Sequence, residues 1–309
     1  MNSEKEIIKV QNLVKKYGDF TAVNGIEFQV KKGEVFGLLG PNGAGKTTTL
    51  EMLVGLRKPD DGTAFIDGFD IIRELNKIKE VIGVQLQSTS LFELLTVKEI
   101  LHLYASFYNK QVSIPALIKD MLLTDKSKNR IKSLSGGQKQ RLAIALALVH
   151  DPKIIFLDEP TTGLDPQARR TLWDIIIRLK ERGKTIVLTT HYMDEAHVLC
   201  DRIAIMDQGQ LIALDTPSLL VKNLQSDSAV EFRFQDESLE VDLKGIEGVK
   251  QVGNHKDTYV LYTDDLQTTL TRLIQTASDK NLKLVDLQTR TATLEDVFIH
   301  MTGRRLREG

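Results

Sequence analysis

Asp158 and Glu159 stand side by side at the end of IIFLDEP, where four apolar residues are followed by two carboxylates. A buried strand ending in paired acids is suited to handling a metal ion or a water. Asp158 is placed to complete the shell of a Mg²⁺ ion beside a γ-phosphate, and Glu159, pointing to the other side, to polarise a water for in-line attack. A positioned base of this kind contributes on the order of 10²–10⁴ in rate. The same logic recurs in TIVLTTH, where a second buried strand ends at His191. Histidine there can hydrogen-bond a phosphate oxygen, although a lone histidine at a strand end is more often structural. The phosphate has its own place: Gly40-Pro41-Asn42-Gly43-Ala44-Gly45-Lys46-Thr47 fits G-x-x-x-x-G-K-[ST] between a strand and a helix. Glycines let backbone N–H groups curl around phosphate oxygens, and the following helix start adds partial positive charge. Lys46 is expected to reach the β and γ phosphates, Thr47 to ligate Mg²⁺, and Thr48 to cap a phosphate. Alone, this loop specifies only a nucleoside triphosphate.

A second anion cradle raises a question of economy. Leu134-Ser135-Gly136-Gly137-Gln138 sets a serine and two glycines directly before a helical run. One nucleotide needs only one such loop from one side. A second serine–glycine helix start can close on the triphosphate from the opposite side if two chains face each other head to tail.

The elements that must position these residues follow from periodicity. EIIKVQNLVKKYG reads as one strand, and GIEFQVKKGEVFGLLG as a second that ends in the buried run Val35–Leu39. KTTTLEMLVGL is a helix that Gly55 helps to end, and GTAFIDGFDI a hairpin. TVKEILHLYASFYN is a helix with Thr96 as N-cap. A helix over Ser135–Val149, the strand PKIIFLDEP, a helix stopped by Gly183, the strand KTIVLTTH and the helix MDEAHVLCD follow. RIAIMDQGQLIALD gives two strands around Gln208–Gly209. Continuous apolar strands alternating with helices make an α/β protein whose parallel sheet is covered on both faces. After the polar stretch Lys222–Ser228 the rhythm changes to β-α-β-β-α-β, a small α+β ferredoxin-like domain.

Taken in order, GPNGAGKTT, LQSTSLFELLTVKEIL, LSGGQKQRLAIALAL, IIFLDEPTTGLDP and TTHYMDEA resemble the nucleotide-binding subunits of ABC transporters, over about residues 5–220. The resemblance implies a P-loop ABC ATPase domain over 1–222, with a helical subdomain at about 88–150, ahead of the accessory domain at 229–309. It implies that two subunits, copies or paralogues, sandwich two ATP molecules with Mg²⁺. Ser135, Gly137 and Gln138 of one would face the γ-phosphate held by Lys46 of the other. By position, Tyr17 matches the aromatic that stacks on adenine. Gln87 matches the glutamine that touches Mg²⁺ and the attacking water, with Gln85 a nearby competitor. Asp165 matches the aspartate that crosses the dimer interface, against the plainer reading of a turn acid before Pro166. The stretch from Ser88 to about Tyr108 corresponds to the docking place of a separate transmembrane permease subunit. TATLEDVFIHMTGRRLRE is similar to the C-terminal segment of bacterial drug and antibiotic exporter ATPases, which implies export. Arg304, Arg305 and Arg307 there would meet lipid or the permease, or simply end a solvated helix.

Composition bounds the alternatives. A formal charge of −1 provides no bulk attraction to nucleic acid, and one cysteine, Cys200, cannot form an internal disulfide. The N-terminus lacks the apolar core of a secretory signal and no apolar run approaches the roughly 20 residues of a membrane span. The expected place is the cytoplasmic face of the cell membrane, held there through permease subunits. Two other classes compete: a non-transport ABC protein of translation or repair, and an ATP-binding regulatory module. The first calls for two ATP modules, a long coiled coil or zinc fingers, none of which is seen. Against the second stands the complete hydrolytic set Lys46, Gln87, Asp158, Glu159 and His191.

Overall fold

A computed structural model describes residues 5–87, 91–224, 226, 228–235, 242–255 and 257–302. Two compact units divide between Leu214 and Asp215. In the first, the order is β1 (Glu6–Tyr17), β2 (Phe20–Lys31), β3 (Val35–Leu39), α1 (Lys46–Leu53), β4 (Asp61–Ile66), β5 (Phe69–Asp70), α2 (Leu75–Val81) and β6 (Ile82–Gln85). Three helices follow, α3 (Val97–Ala105), α4 (Ile114–Asp120) and α5 (Gly136–Leu148), then β7 (Ile154–Asp158), α6 (Pro166–Glu181), β8 (Thr185–Thr190), α7 (Met193–Leu199), β9 (Arg202–Asp207) and β10 (Gln210–Asp215).

Two sheets share one core. β2-β1-β4-β5 is antiparallel where its pairings are resolved, and β10-β9-β3-β8-β7-β6 is a six-stranded sheet with a parallel centre. The single strand expected over GIEFQVKKGEVFGLLG is in fact two strands in different sheets. Its two halves differ in period: β2 alternates buried and exposed, as a one-faced strand must, whereas every residue of β3 is buried. The chain changes sheets at Gly33, with φ of 82°, and the stacked rings of Phe28 and Phe36, 5.1 Å apart, join the two layers across the turn.

The parallel register decides where chemistry can occur. Leu39 pairs with Thr190, Asp158 with Thr189, and Gln85 with Leu157, so β3, β8, β7 and β6 end together. The loops that leave these strands carry the glycine-rich turn, His191, Glu159 and Gln87. Ligands in open α/β sheets sit at such carboxyl ends. α3, α4 and α5 pack on one another, with α5 also lying against β6. Thr96 caps α3 in a capping box with Glu99, as its position suggested.

The second unit holds α8 (Pro217–Lys222), β11 (Ser228–Phe234), β12 (Val249–His255), β13 (Thr258–Thr263), α9 (Leu266–Asp279), β14 (Leu284–Thr291) and α10 (Leu294–Thr302). Its sheet runs β12-β13-β11-β14, all antiparallel, which is the strand order of a ferredoxin-like sheet. The first helix of the expected β-α-β-β-α-β order is replaced, over the described 242–248, by turns. Gly245 and Gly248, the latter with φ of 89°, disfavour a helix there, yet Leu243 and Ile246 still enter the core with Phe232 and Leu273. α8 falls within the stretch expected to close the first domain, but it packs against α10. The tail residues Arg304, Arg305 and Arg307, and Ser88, lie outside the described residues.

Candidate nucleotide-binding and hydrolysis site

A cleft of about 570 Å³ opens at the shared strand ends, lined by Tyr17, Asn42, Gly43, Gly45, Lys46, Thr47, Thr48, Gln87, Glu159 and His191, together with Phe20, Ala22 and Thr162. Its floor is the turn between β3 and α1. Gly45, at the start of α1, has φ of 100°, and a Cβ there would stand 2.4 Å from the carbonyl oxygen of Ala22. Only glycine lets this backbone approach β2 so closely. Lys46 is buried, its Nζ donating to the carbonyls of Gly40 (2.8 Å) and Pro41 (3.0 Å) and standing 3.5 Å from Glu159 Oε1. Burial pulls its ammonium below the ordinary lysine range, while Glu159 and Asp158 pull it back up.

Glu159 sits at φ of 46°, a conformation few non-glycine residues adopt, immediately after β7. Its backbone N–H donates to Thr189 Oγ1 at 2.9 Å, pinning the turn to β8. Its Oε2 accepts from Gln87 Nε2 (3.2 Å) and Thr162 Oγ1 (3.2 Å), and His191 Nδ1 stands 3.4 Å away. The His191 ring beside it, reinforced by the Lys46 ammonium and opposed by burial, holds the Glu159 carboxyl down at about 2. Glu159 is therefore ionised at any ordinary pH.

Asp158 differs from its neighbour. Its Oδ1 accepts from Thr189 Oγ1 (2.6 Å) and Thr47 Oγ1 (3.1 Å), and burial raises it despite those bonds. Two enclosed carboxylates against one ammonium leave the cleft floor short of positive charge. Mg²⁺ takes only one or two protein oxygens and completes its shell with water and phosphate. Thr47 and Asp158 are hard oxygen donors within 3.1 Å of each other, a donor set that fits this ion.

Gln85 and Gln87 separate cleanly. Gln85 is 2 % exposed within β6, its amide donating to the carbonyls of Leu86 and Asp158. Gln87, past the strand end, reaches the cleft. Tyr17 lies at the cleft mouth, 41 % exposed, with the Arg57 guanidinium 5.5 Å from its ring centre. Thr189 and Thr162 were missed in the sequence. Thr189 pairs in register with Asp158, a relation set by the parallel sheet that no local sequence signal announces.

Ser135, Gly137, Gln138 and Asp165 do not line the cleft of their own chain. Ser135 caps α5 in a capping box, accepting from Gln138 N at 3.3 Å while Gln138 Oε1 accepts from Ser135 N at 3.0 Å. Asp165 caps α6, accepting from Ala168 N at 2.9 Å ahead of Pro166.

Comparison with known proteins identifies the family. The model of the ABC transporter family matches residues 23–162, and that of the DrrA1-3-like ATP-binding protein C-terminal domain matches 221–302. The linearmycin resistance ATP-binding protein LnrL of Bacillus subtilis (strain 168) is 36% identical over 98% of this chain and 100% of its own length. This chain belongs to the ABC transporter ATP-binding proteins. The Nod factor export ATP-binding protein I of Paraburkholderia xenovorans (strain LB400) is 39% identical over 97% of this ABC protein and 98% of its own length. Among solved structures, the ATP-binding cassette MJ0796, captured as a dimer in a post-hydrolysis state with ADP and Pi, has a TM-score of 0.62. It is 32% identical and covers 68% of this chain and 98% of its own. The ABC protein is an ATPase.

Proposed function

We propose that this ATPase drives an exporter as one of two nucleotide-binding chains, attached to separate transmembrane permease subunits at the cytoplasmic face of the membrane. The observation that carries the two-chain reading is a division within the molecule. Lys46, Thr47, Asp158, Glu159, Gln87 and His191 gather at one cleft, whereas the Ser135–Gln138 cradle is presented on the surface with no place in it. A helix start whose serine and first glycine are exposed is complementary to a phosphate carried by another chain. Among the described residues no helix is long and apolar enough to cross a membrane. A permease has a place to dock: a groove of about 460 Å³ lined by Leu56, Val84, Tyr104, Phe107 and His150, with Phe107 69 % exposed. Phe92 and Leu94 in the same region are also exposed rather than part of the core. Relatives named for linearmycin resistance and for Nod factor export support an outward direction, of drugs or antibiotics among other cargo.

In this reading Lys46 leaves the carbonyls of Gly40 and Pro41 to grip the β and γ phosphates. Tyr17 stacks on the base. Thr47 and Asp158 hold Mg²⁺, which when bound neutralises phosphate charge. Glu159 accepts hydrogen-bond character from the attacking water, with Gln87 and His191 orienting its carboxylate. Ser135, Gly137 and Gln138 of the facing chain, with Asp165 at the seam, close the site. The γ-phosphate shared by both chains favours the closed pair, and its loss reopens it.

Mixing two inactive variants tests this. Lys46→Ala keeps an intact Ser135 cradle and Ser135→Arg keeps an intact Lys46 loop. If the site is shared, mixed pairs contain one complete site and ATPase activity returns. Activity that stays absent in the mixture, while each variant alone is folded, would mean that the cradle serves its own chain. In parallel, Glu159→Gln should accumulate as an ATP-dependent dimer on gel filtration.

A further inference from the structure

Glu195 has no assigned task, yet it is the least accessible carboxylate near the cleft. It lies on α7, four residues past His191, and is 0 % exposed. Its Oε1 accepts from the indole Nε1 of Trp173 on α6, at 3.1 Å. The hydroxyls of Thr190, the last residue of β8, and Thr161, two residues past Glu159, face the same carboxyl. Glu195 Oε2 and Thr161 Oγ1 are both enclosed without an aligned hydrogen-bond partner among the described residues. Among the described residues Arg169 is the cation that acts on Glu195, but its ion pair is to Asp194 at 3.6 Å, its guanidinium lies over the Tyr192 ring at 4.3 Å, and its enclosed Nε makes no hydrogen bond to the carboxyl.

We propose that Glu195 is a positioning residue for hydrolysis, a neutral carboxyl that ties the loop carrying Glu159 to the loop carrying His191 and braces both on α6. The inference rests on the assignment of Glu159 and His191 to the reaction. An ionised carboxylate with no paired cation is too costly in so closed a place. A carboxylic acid carries an O–H donor besides its acceptors, so Oε2–H can give to the Thr161 hydroxyl while Oε1 keeps the Trp173 bond. Burial accordingly raises this carboxyl above the ordinary glutamate range, against the lowering influence of Thr190, Thr161 and Trp173. The geometry explains why the junction matters. Glu159 departs from β7 in a strained conformation and His191 departs from β8 beside it, and their separation of 3.4 Å depends on two loops keeping step. A carboxyl that faces Thr161 in the one loop and Thr190 at the root of the other sets that spacing without contacting nucleotide.

The test uses full-length chain and steady-state ATPase kinetics. Glu195→Ala should lower kcat by about tenfold to a hundredfold, the range expected when a reacting group is misplaced by about 1 Å. KM for ATP and binding of an ATP analogue should stay within about twofold, because the main grip on the phosphates comes from Lys46 and the glycine turn before α1, which Glu195 does not touch. Thr161→Val, which removes the facing hydroxyl at constant volume, should lower kcat in the same direction. Glu195→Gln, which mimics the neutral acid, should recover turnover to within about threefold of wild type. Trp173 is the only tryptophan in the chain, so its fluorescence reports loss of the indole bond directly. The inference is overturned if Glu195→Ala keeps kcat within about twofold or changes KM alone, or if Glu195→Gln is as impaired as the alanine variant. Should Glu195→Ala fail to fold, wild-type kcat in Thr161→Val overturns it equally. If wild-type chain hydrolyses ATP and Glu159→Gln does not, the assignment of the base stands whatever happens at position 195, so the two ideas fail separately.

Discussion

At the scale of single residues the site is organised by contrast between adjacent carboxylates. Asp158 is raised by burial and bonded only to hydroxyls, whereas Glu159 is lowered to about 2 by His191, with Lys46 adding to it. In the proposed function that difference separates the acid assigned to Mg²⁺ from the base assigned to water. It also has a thermodynamic signature. A carboxyl depressed on folding contributes stability that is fully present above its unfolded value, near 4.5, and is lost as pH falls through about 2. By linkage, the gap in unfolding free energy between wild type and Glu159→Gln should narrow by about 3 kcal/mol as pH falls across that window. Urea unfolding at neutral pH and at steps below pH 5, followed by Trp173 fluorescence, measures it. A gap that stays constant with pH would mean that Glu159 is not held in its charged form by these neighbours.

At the scale of elements, the glycine turn before α1 permits a comparison between two positions that sequence alone treats alike. Gly43 has φ of 79° and open space where a Cβ would stand, while Gly45 has φ of 100° and the Ala22 carbonyl only 2.4 Å from that position. Gly43→Ala carries only the left-handed backbone cost, about 1–2 kcal/mol. Gly45→Ala adds a collision with β2 that the backbone must relieve by moving the N–H groups that the proposed function assigns to phosphate. Thermal unfolding and binding of an ATP analogue should therefore show a modest loss for the first and near-complete loss of binding for the second. Equal binding by both would refute the close approach. The elements themselves were largely legible because strand ends and glycines punctuate them. KTIVLTTH and IIFLDEP announce buried strands by continuous apolar runs, and Thr96 and Ser135 announce helices by their capping chemistry. Less visible was what depends on partners distant in sequence. β2 and β3 read as one strand because nothing local says that they join different sheets. α8 escaped notice because a six-residue helix behind Thr216 and Pro217 shows little periodicity, although that pair is an N-terminal signal. At the site, Gln85 and Gln87 differ only by which side of a strand end they occupy, and Thr162 closes on Glu159 only once the turn has formed.

At the scale of the whole molecule, the two units have separate cores and separate polar locks. In the second, Asp296 on α10 is 0 % exposed and accepts from both terminal nitrogens of Arg290 on β14 (2.6 and 2.8 Å), from Tyr262 Oη on β13 (2.9 Å) and from the backbone N–H of Thr293 (2.8 Å). Burial alone would raise Asp296, but the Arg290 guanidinium and these donors win and hold it below the ordinary range. The same pair drives Arg290 above its usual value. Removing the buried acceptor of such a network leaves its enclosed donors unsatisfied, at a cost of about 1–3 kcal/mol. Asp296→Ala leaves the Tyr262 and Thr293 donors without their acceptor, while Arg290 keeps Glu231 Oε2 at 3.4 Å, and every one of these groups belongs to the second unit. None of them lines the ATP cleft. Calorimetry of this variant should therefore resolve two transitions, with the one belonging to residues 215–309 lowered and the other in place. ATP-analogue binding measured below the lower transition should match wild type, since Lys46, Thr47 and Tyr17 draw nothing from this lock. A single transition that moves as a whole, or a parallel loss of nucleotide affinity, would show instead that the two units are one energetic body.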